Sequence, residues 1–196
     1  GVLDADGNGK GKKYSSVNGV LYKNDTDGKP GALIKCPEAK VATAQSPIVI
    51  PATVTVIESN AFYLCANVQA VTFEEGEKEL TINDGNARIA TNGNVNINGG
   101  AFARSGLTSI VLPARTVSVG KAAFALCGNL TNVQFATKEE EKDGQTIQVS
   151  KLESIKQLAF HKTSVTSLVV PNSVQSLEDN VFNQSALESI TIPSSL

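Results

Sequence analysis

Six short stretches of this chain alternate apolar and polar positions, around the apolar pairs Ile48/Ile50, Val71/Phe73, Ile110/Leu112, Val133/Phe135, Leu168/Val170 and Ile190/Ile192. Period-two alternation over four or five residues predicts a strand with one buried face. Pro follows four of the pairs, at Pro51, Pro113, Pro171 and Pro193, and closes each strand by removing a ladder donor. Between the strands a Phe follows a small apolar residue five times, at Phe62, Phe102, Phe124, Phe160 and Phe182. Five residues before each Phe stands an aliphatic: Ile57, Ile97, Val119, Ile155 and Leu177.

The repeating unit is therefore an aliphatic, a Phe, and a strand of the type LTSIVLP, VTSLVVP or LESITIP. A strand this short cannot bury its face alone, but copies stacked about 4.8 Å apart supply one another with hydrogen bonds and core. A solenoid with an internal column of Phe rings is the expected result. The pairs follow one another at 23, 39, 23, 35 and 22 residues. The two long units, in this reading, carry insertions after Phe73 and Phe135. Insertions at one phase of a solenoid project from one edge, so the acidic loops 74–79 and 138–143 are expected on the same edge. Residues 1–41 differ: GVLY and ALIKCP flank an Asp-, Gly- and Pro-rich loop and predict a hairpin that caps an array over 42–196.

The phrases IPATVTVIESNAFYLCANVQAVTF, LTSIVLPARTVSVGKAAFALC and VTSLVVPNSVQSLEDNVF resemble the repeat of the BspA-like leucine-rich repeat family, over residues 48–196. The N-terminal hairpin resembles an element that often interrupts such arrays. The resemblance implies an α/β leucine-rich-repeat solenoid, a horseshoe-like right-handed superhelix rich in β-structure. It would have short helical or 3-10 turns and about five to six rungs of 22–23 residues. It also implies an extracellular or cell-surface bacterial protein, linked to adhesion and to host matrix or cell-surface partners, protein or glycan, and not an enzyme. Two departures stand out. The insertions exceed the usual unit, and three units carry Ser105, Thr163 or Ser185 near the position where the others have Cys65 and Cys127.

Composition narrows the chemistry. A net charge of −2 with no basic block offers nothing for nucleic acid, and no apolar run approaches a bilayer span. Aromatics are 5% of residues, and Trp and Met are absent, which argues against an aromatic sugar cleft or a Met-rich groove. Cys36, Cys65 and Cys127 form no C-x-x-C. Cys65 and Cys127 share one repeat position on non-adjacent rungs, too far apart to bridge, so buried free thiols are expected. His161, the only histidine, follows Phe160 at a turn where exposure is expected, and one histidine makes neither a triad nor a multi-histidine metal site. Asp4, Asp6, Asn8 and Gly9 match the start of an EF-hand loop, but Ser15 stands where the bidentate Glu belongs. No cofactor or metal is expected.

The outward positions of the strands are the candidate binding surface: Thr72, Ser109, Val111, Asn132, Gln134, Ser167, Val169, Ser189 and Thr191. They form a neutral ladder without Trp, Tyr or Arg, the usual interface anchors. A structural spacer carrying another domain is thus the competing reading. A parallel β-helix enzyme acting on polysaccharide is a remote third, because the rungs lack clustered Asp with Lys or Arg. A chain that starts at Gly1 and stops just after a strand reads as a trimmed piece of a longer array, whose exposed repeat ends would favour self-association.

Overall fold

The computed structural model describes residues 12–194 and residue 196; the EF-hand-like run at Asp4 to Gly9 lies outside them. The described chain opens with an antiparallel meander of β1 (Tyr14–Val17), β2 (Val20–Asn24) and β3 (Pro30–Lys35). Asn18 and Gly19 join β1 to β2 with φ of 50° and 81°. An Asn-Gly pair tolerates that left-handed conformation, and its twist matches a two-residue hairpin. Val20, Tyr22 and Leu33 bury one face of the meander completely.

From Ile48 onward the chain coils. The first coil contains β4 (Ile48–Ile50), β5 (Val56–Ile57) and the Phe62 turn; the second contains β6 (Val71–Phe73), β7 (Leu80–Ile82), a hairpin of β8 (Ala87–Ile89) and β9 (Val95–Ile97), and the Phe102 turn. The third contains β10 (Ser109–Leu112), β11 (Thr116–Val119) and the Phe124 turn. The fourth contains β12 (Asn132–Phe135), a hairpin of β13 (Lys138–Lys142) and β14 (Gln145–Val149), β15 (Ser154–Ile155) and the Phe160 turn. The fifth contains β16 (Ser167–Val169), β17 (Ser176–Leu177) and the Phe182 turn, and β18 (Ser189–Thr191) follows.

Each coil thus has three sides. Strands β4, β6, β10, β12, β16 and β18 form the front in three parallel pairs, with Ile48 opposite Val71, Ile110 opposite Val133, and Leu168 opposite Ile190. The back is one continuous sheet, β1-β2-β3-β5-β7-β11-β15-β17, parallel from β3 onward. Its register sets Leu33, Ile57, Ile82, Val119, Ile155 and Leu177 in one column. The third side is a stack of turns. Phe62, Phe102, Phe124, Phe160 and Phe182 lie on one another with ring centroids 4.8, 4.9, 5.4 and 5.8 Å apart and planes within 7° of parallel. Phe62, Phe102, Phe124 and Phe160 are essentially fully buried, each contributing about 2–3 kcal/mol relative to exposure.

The turns carry their own ladder. The amides of Phe62, Phe102, Phe124 and Phe160 donate to Ala101, Ala123, Ala159 and Val181 of the next coil at 2.6–2.9 Å. Two residues after each Phe the backbone is left-handed, at Leu64, Arg104, Leu126, Lys162 and Gln184, with φ between 52° and 64°. This geometry corrects one expectation. Among the described residues there is no helix of any kind, because amides directed along the stack cannot also close a helical turn. The solenoid is all-β.

A second correction concerns the insertions. The spacing before Phe102 pointed to Ile97 as the back-sheet aliphatic, but Ile82 holds that place and Ile97 lies in the β8–β9 hairpin. The first insertion therefore leaves after the back strand, whereas β13–β14 leaves before it, and the two hairpins emerge at different corners. The β8–β9 hairpin folds flat. Its Ala87, Ile89, Val95 and Ile97 cover Ala103, Ala125 and Leu158 in a small second core. Gly100 permits the close approach, since a Cβ there would collide with the Ala122 carbonyl.

Candidate functional site

The pleat turns alternate front residues outward, and all nine predicted positions are exposed: Thr72, Ser109, Val111, Asn132, Gln134, Ser167, Val169, Ser189 and Thr191. The face is uncharged, and its most exposed apolar side chains are Val111 at 51% and Val169 at 69%. A solvated β-branched residue on a regular sheet leaves apolar area for a partner to cover.

The face is not one flat sheet. Its ladder is broken between β6 and β10 and between β12 and β16, where the coils enlarged by insertions separate successive front strands. A groove runs along each seam. The first, of about 330 Å³, is bordered by Thr72, Ser109, Val111 and Phe73. The second, of about 390 Å³, is bordered by Asn132, Gln134, Ser167, Val169 and Phe135. Seven of the nine predicted residues line these grooves, while Ser189 and Thr191 lie apart on β18. Phe73 and Phe135, both half-buried, supply an aromatic wall to each groove. Alternation along the strands places both among the inward positions, and both do pack against the core. Their signal was the missing Pro, since Glu74 and Ala136 follow them where the other front strands meet Pro.

A third cavity, of about 410 Å³, opens at the front-to-back corner between the 74–79 loop and the β13–β14 hairpin. The two acidic loops do share an edge there, as Lys138 Nζ meets Glu77 Oε1 at 3.0 Å. Lys151 Nζ lies 3.5 Å from Glu79. Solvent screens these exposed pairs, so they add little stability, but they balance charge at the corner. At its base Arg115 is 4% exposed and donates from Nη1 to the Val54 and Lys78 carbonyls at 2.8 and 3.1 Å. Burial holds the Arg115 pKa below its ordinary value, against the opposing charge of Glu75. The arginine acts as a strut across the first three coils. This corner cavity is therefore self-paired and structural, and the front grooves offer the surface with unmet apolar area.

His161 is buried, not exposed, and its Nδ1 lies 2.8 Å from the Asn183 carbonyl. Because a carbonyl only accepts, Nδ1 carries the proton. Burial lowers the His161 pKa, with the Asn183 carbonyl opposing. The side chain ties the fourth coil to the fifth and faces no groove. Among the described residues no group of three or more His, Cys, Asp or Glu is placed to hold a metal. Ser105, Thr163 and Ser185 occupy the third position after Phe102, Phe160 and Phe182, where the first and third coils carry Cys65 and Cys127. Thr163 caps the turn by donating to the Phe160 carbonyl at 3.0 Å.

The model of the BspA type leucine rich repeat region matches residues 42–84 and 95–196, in six copies. The matched segments stop short of the β8–β9 hairpin and resume within it, which agrees with its character as an insertion. Among solved structures, the chain is similar to the pneumococcal vaccine antigen PcpA, with a TM-score of 0.58 at 19% identity. That likeness covers 98% of this chain and 42% of the antigen's. A leucine-rich repeat protein from Bacteroides capillosus aligns over 92% of this chain and 98% of its own, at 20% identity and a TM-score of 0.47. A leucine rich cell surface protein from Faecalibacterium prausnitzii aligns over 90% of this chain and 54% of its own, at 18% identity and a TM-score of 0.44. No curated protein sequence matches the chain.

Proposed function

Because the chain belongs to the BspA-type leucine-rich repeat family, we propose that it is an interaction module of a bacterial surface or secreted protein, and that it docks a partner on its front face. The partner class is a host extracellular-matrix or cell-surface protein or glycan. The observation that carries this reading is the pair of seam grooves, each combining an exposed valine, a half-buried phenylalanine and outward Ser, Thr, Asn or Gln groups. Apolar walls with a few polar groups suit a partner that brings both a hydrophobic contact and hydrogen bonds. The neutral face accounts for no steering by charge, so binding should depend little on salt. The chain acts by binding, without turnover.

The test is an array of matrix proteins, mucins and glycans probed with the purified chain at physiological salt, with and without calcium. Saturable binding weakened by changes at Asn132, Gln134 or Val169 supports the reading. Binding that requires calcium or the 138–143 loop instead moves the site to the corner cavity. A spacer is favoured by one observation, the lack of Trp, Tyr and Arg among the outward residues. It predicts no binding to any member of the array.

A further inference from the structure

The Phe column does not begin at Phe62. The Cys36 amide donates to the Ala61 carbonyl at 2.7 Å, as the Phe62 amide does to Ala101 and the Phe102 amide to Ala123. Cys36 therefore takes the Phe slot one level above the first complete coil. Cys65 takes the third position after Phe62. Its equivalent, Cys127, donates from Sγ to the Phe102 carbonyl of the coil before it at 3.0 Å. Cys65 repeats that contact on the carbonyl of Cys36 itself, at 3.5 Å. The Pro37 carbonyl then lies 3.6 Å from Cys36 Sγ and 3.8 Å from Cys65 Sγ, so the two sulfurs flank one oxygen. Both residues are completely buried. Cys65 Sγ thus reaches the backbone of Cys36 itself, the close approach that a disulfide between two residues needs. Cys127 has no such neighbour; Ser105 Oγ lies 3.4 Å from its sulfur.

We propose that Cys36 and Cys65 form a disulfide that staples the N-terminal meander to the first coil. Without it, the parallel joint between meander and array is two residue pairs long, Ala32 with Val56 and Leu33 with Ile57. The surroundings assign the two sulfurs different roles. A hydrogen bond from Cys65 holds the Cys36 thiol below its ordinary range despite burial, helped by Lys40 and Lys35. The same bond, with burial, pushes the Cys65 thiol up. With a low-molecular-weight disulfide as oxidant, the Cys36 thiolate attacks one sulfur and expels the first small thiolate, which takes a proton. Cys65 then loses its proton and attacks the Cys36 sulfur of the mixed disulfide, expelling the second. Two protein thiols are oxidised and one small disulfide is reduced to two thiols. Access to the buried pair requires opening of the 35–40 segment or oxidation during folding. The bond is independent of whatever the front face binds.

The test is to refold the chain in a glutathione redox buffer, block remaining thiols with N-ethylmaleimide in denaturant, and record intact mass and a non-reducing peptide map. The expected product carries one adduct, on Cys127, and a cross-linked Cys36–Cys65 peptide. Relative to the reduced chain, its Tm should rise by about 5–10 °C. Cys36→Ser and Cys65→Ser should each leave two adducts, and Cys127→Ser none. Three adducts on the wild-type chain, glutathione retained on Cys36 or Cys65, or any link to Cys127 would overturn the proposal. The wild-type reading stands even if a variant fails to fold.

Discussion

The ring of Phe62 lies 4.8 Å from the ring of Phe102 with the planes 7° apart, although a whole hairpin intervenes in the chain. The spacing is that of stacked strands, so the insertion is looped out without parting these two rings. The rings and the amide ladder beside them stack directly, coil on coil.

That column predicts a gradient of mutational cost. Phe124→Ala removes a fully buried ring stacked on both faces and should destabilise by about 3–5 kcal/mol. Phe182→Ala removes a half-buried ring stacked on one described neighbour and should lose about 1–2 kcal/mol. Urea midpoints of the two variants against wild type provide the check, and equal losses would contradict a column graded by burial.

The left-handed residue after each Phe predicts stabilisation. Lys162 has φ of 52° and an exposed side chain. Lys162→Gly relieves the Cβ penalty and should gain about 0.5–1 kcal/mol, whereas Lys162→Val should lose about 1–2 kcal/mol. Thermal melts of the pair should move in opposite directions. A drop on Lys162→Gly would show that the lysine makes contacts that outweigh backbone strain.

His161 predicts acid sensitivity. Its folded pKa is lowered by burial, so below about pH 6.5 the unfolded chain takes up a proton that the folded chain resists. Stability therefore falls as pH drops from about 6.5 toward the folded pKa. His161→Gln keeps a donor for Asn183 and should flatten that part of the profile. Denaturation midpoints between pH 5 and 8 test this, and a wild-type profile unchanged by the substitution would place the acid sensitivity elsewhere.

The front grooves predict a separation of binding from folding. Val169 is 69% exposed, so Val169→Lys should change stability by less than about 1 kcal/mol. Against a partner recovered from the array it should weaken binding at least about tenfold, or 1.4 kcal/mol. Biolayer interferometry beside a thermal melt separates the two effects. Unchanged affinity would remove the second groove from the site.

Much of this architecture is legible in the chain. The strands follow from local alternation, the period from the recurring pairs, and the Phe column from a phrase that repeats in phase, because each of these is a relation within one coil or between identical phrases. The outward face follows from the same pleat, and its exposed residues are where the alternation places them. The tertiary structure decided what spacing leaves degenerate. Ile82 and Ile97 both stand in alternating triplets, and stacking against Ile57 selects Ile82, since only the residue hydrogen-bonded to the neighbouring coil can fill the column. Cys36 enters the Phe slot, His161 turns inward to Asn183, and Phe73 and Phe135 become groove walls for the same reason. Each role depends on which residues the adjacent coil brings alongside, and that adjacency arises from lateral hydrogen bonding and burial between coils, which the order of residues along one coil does not encode.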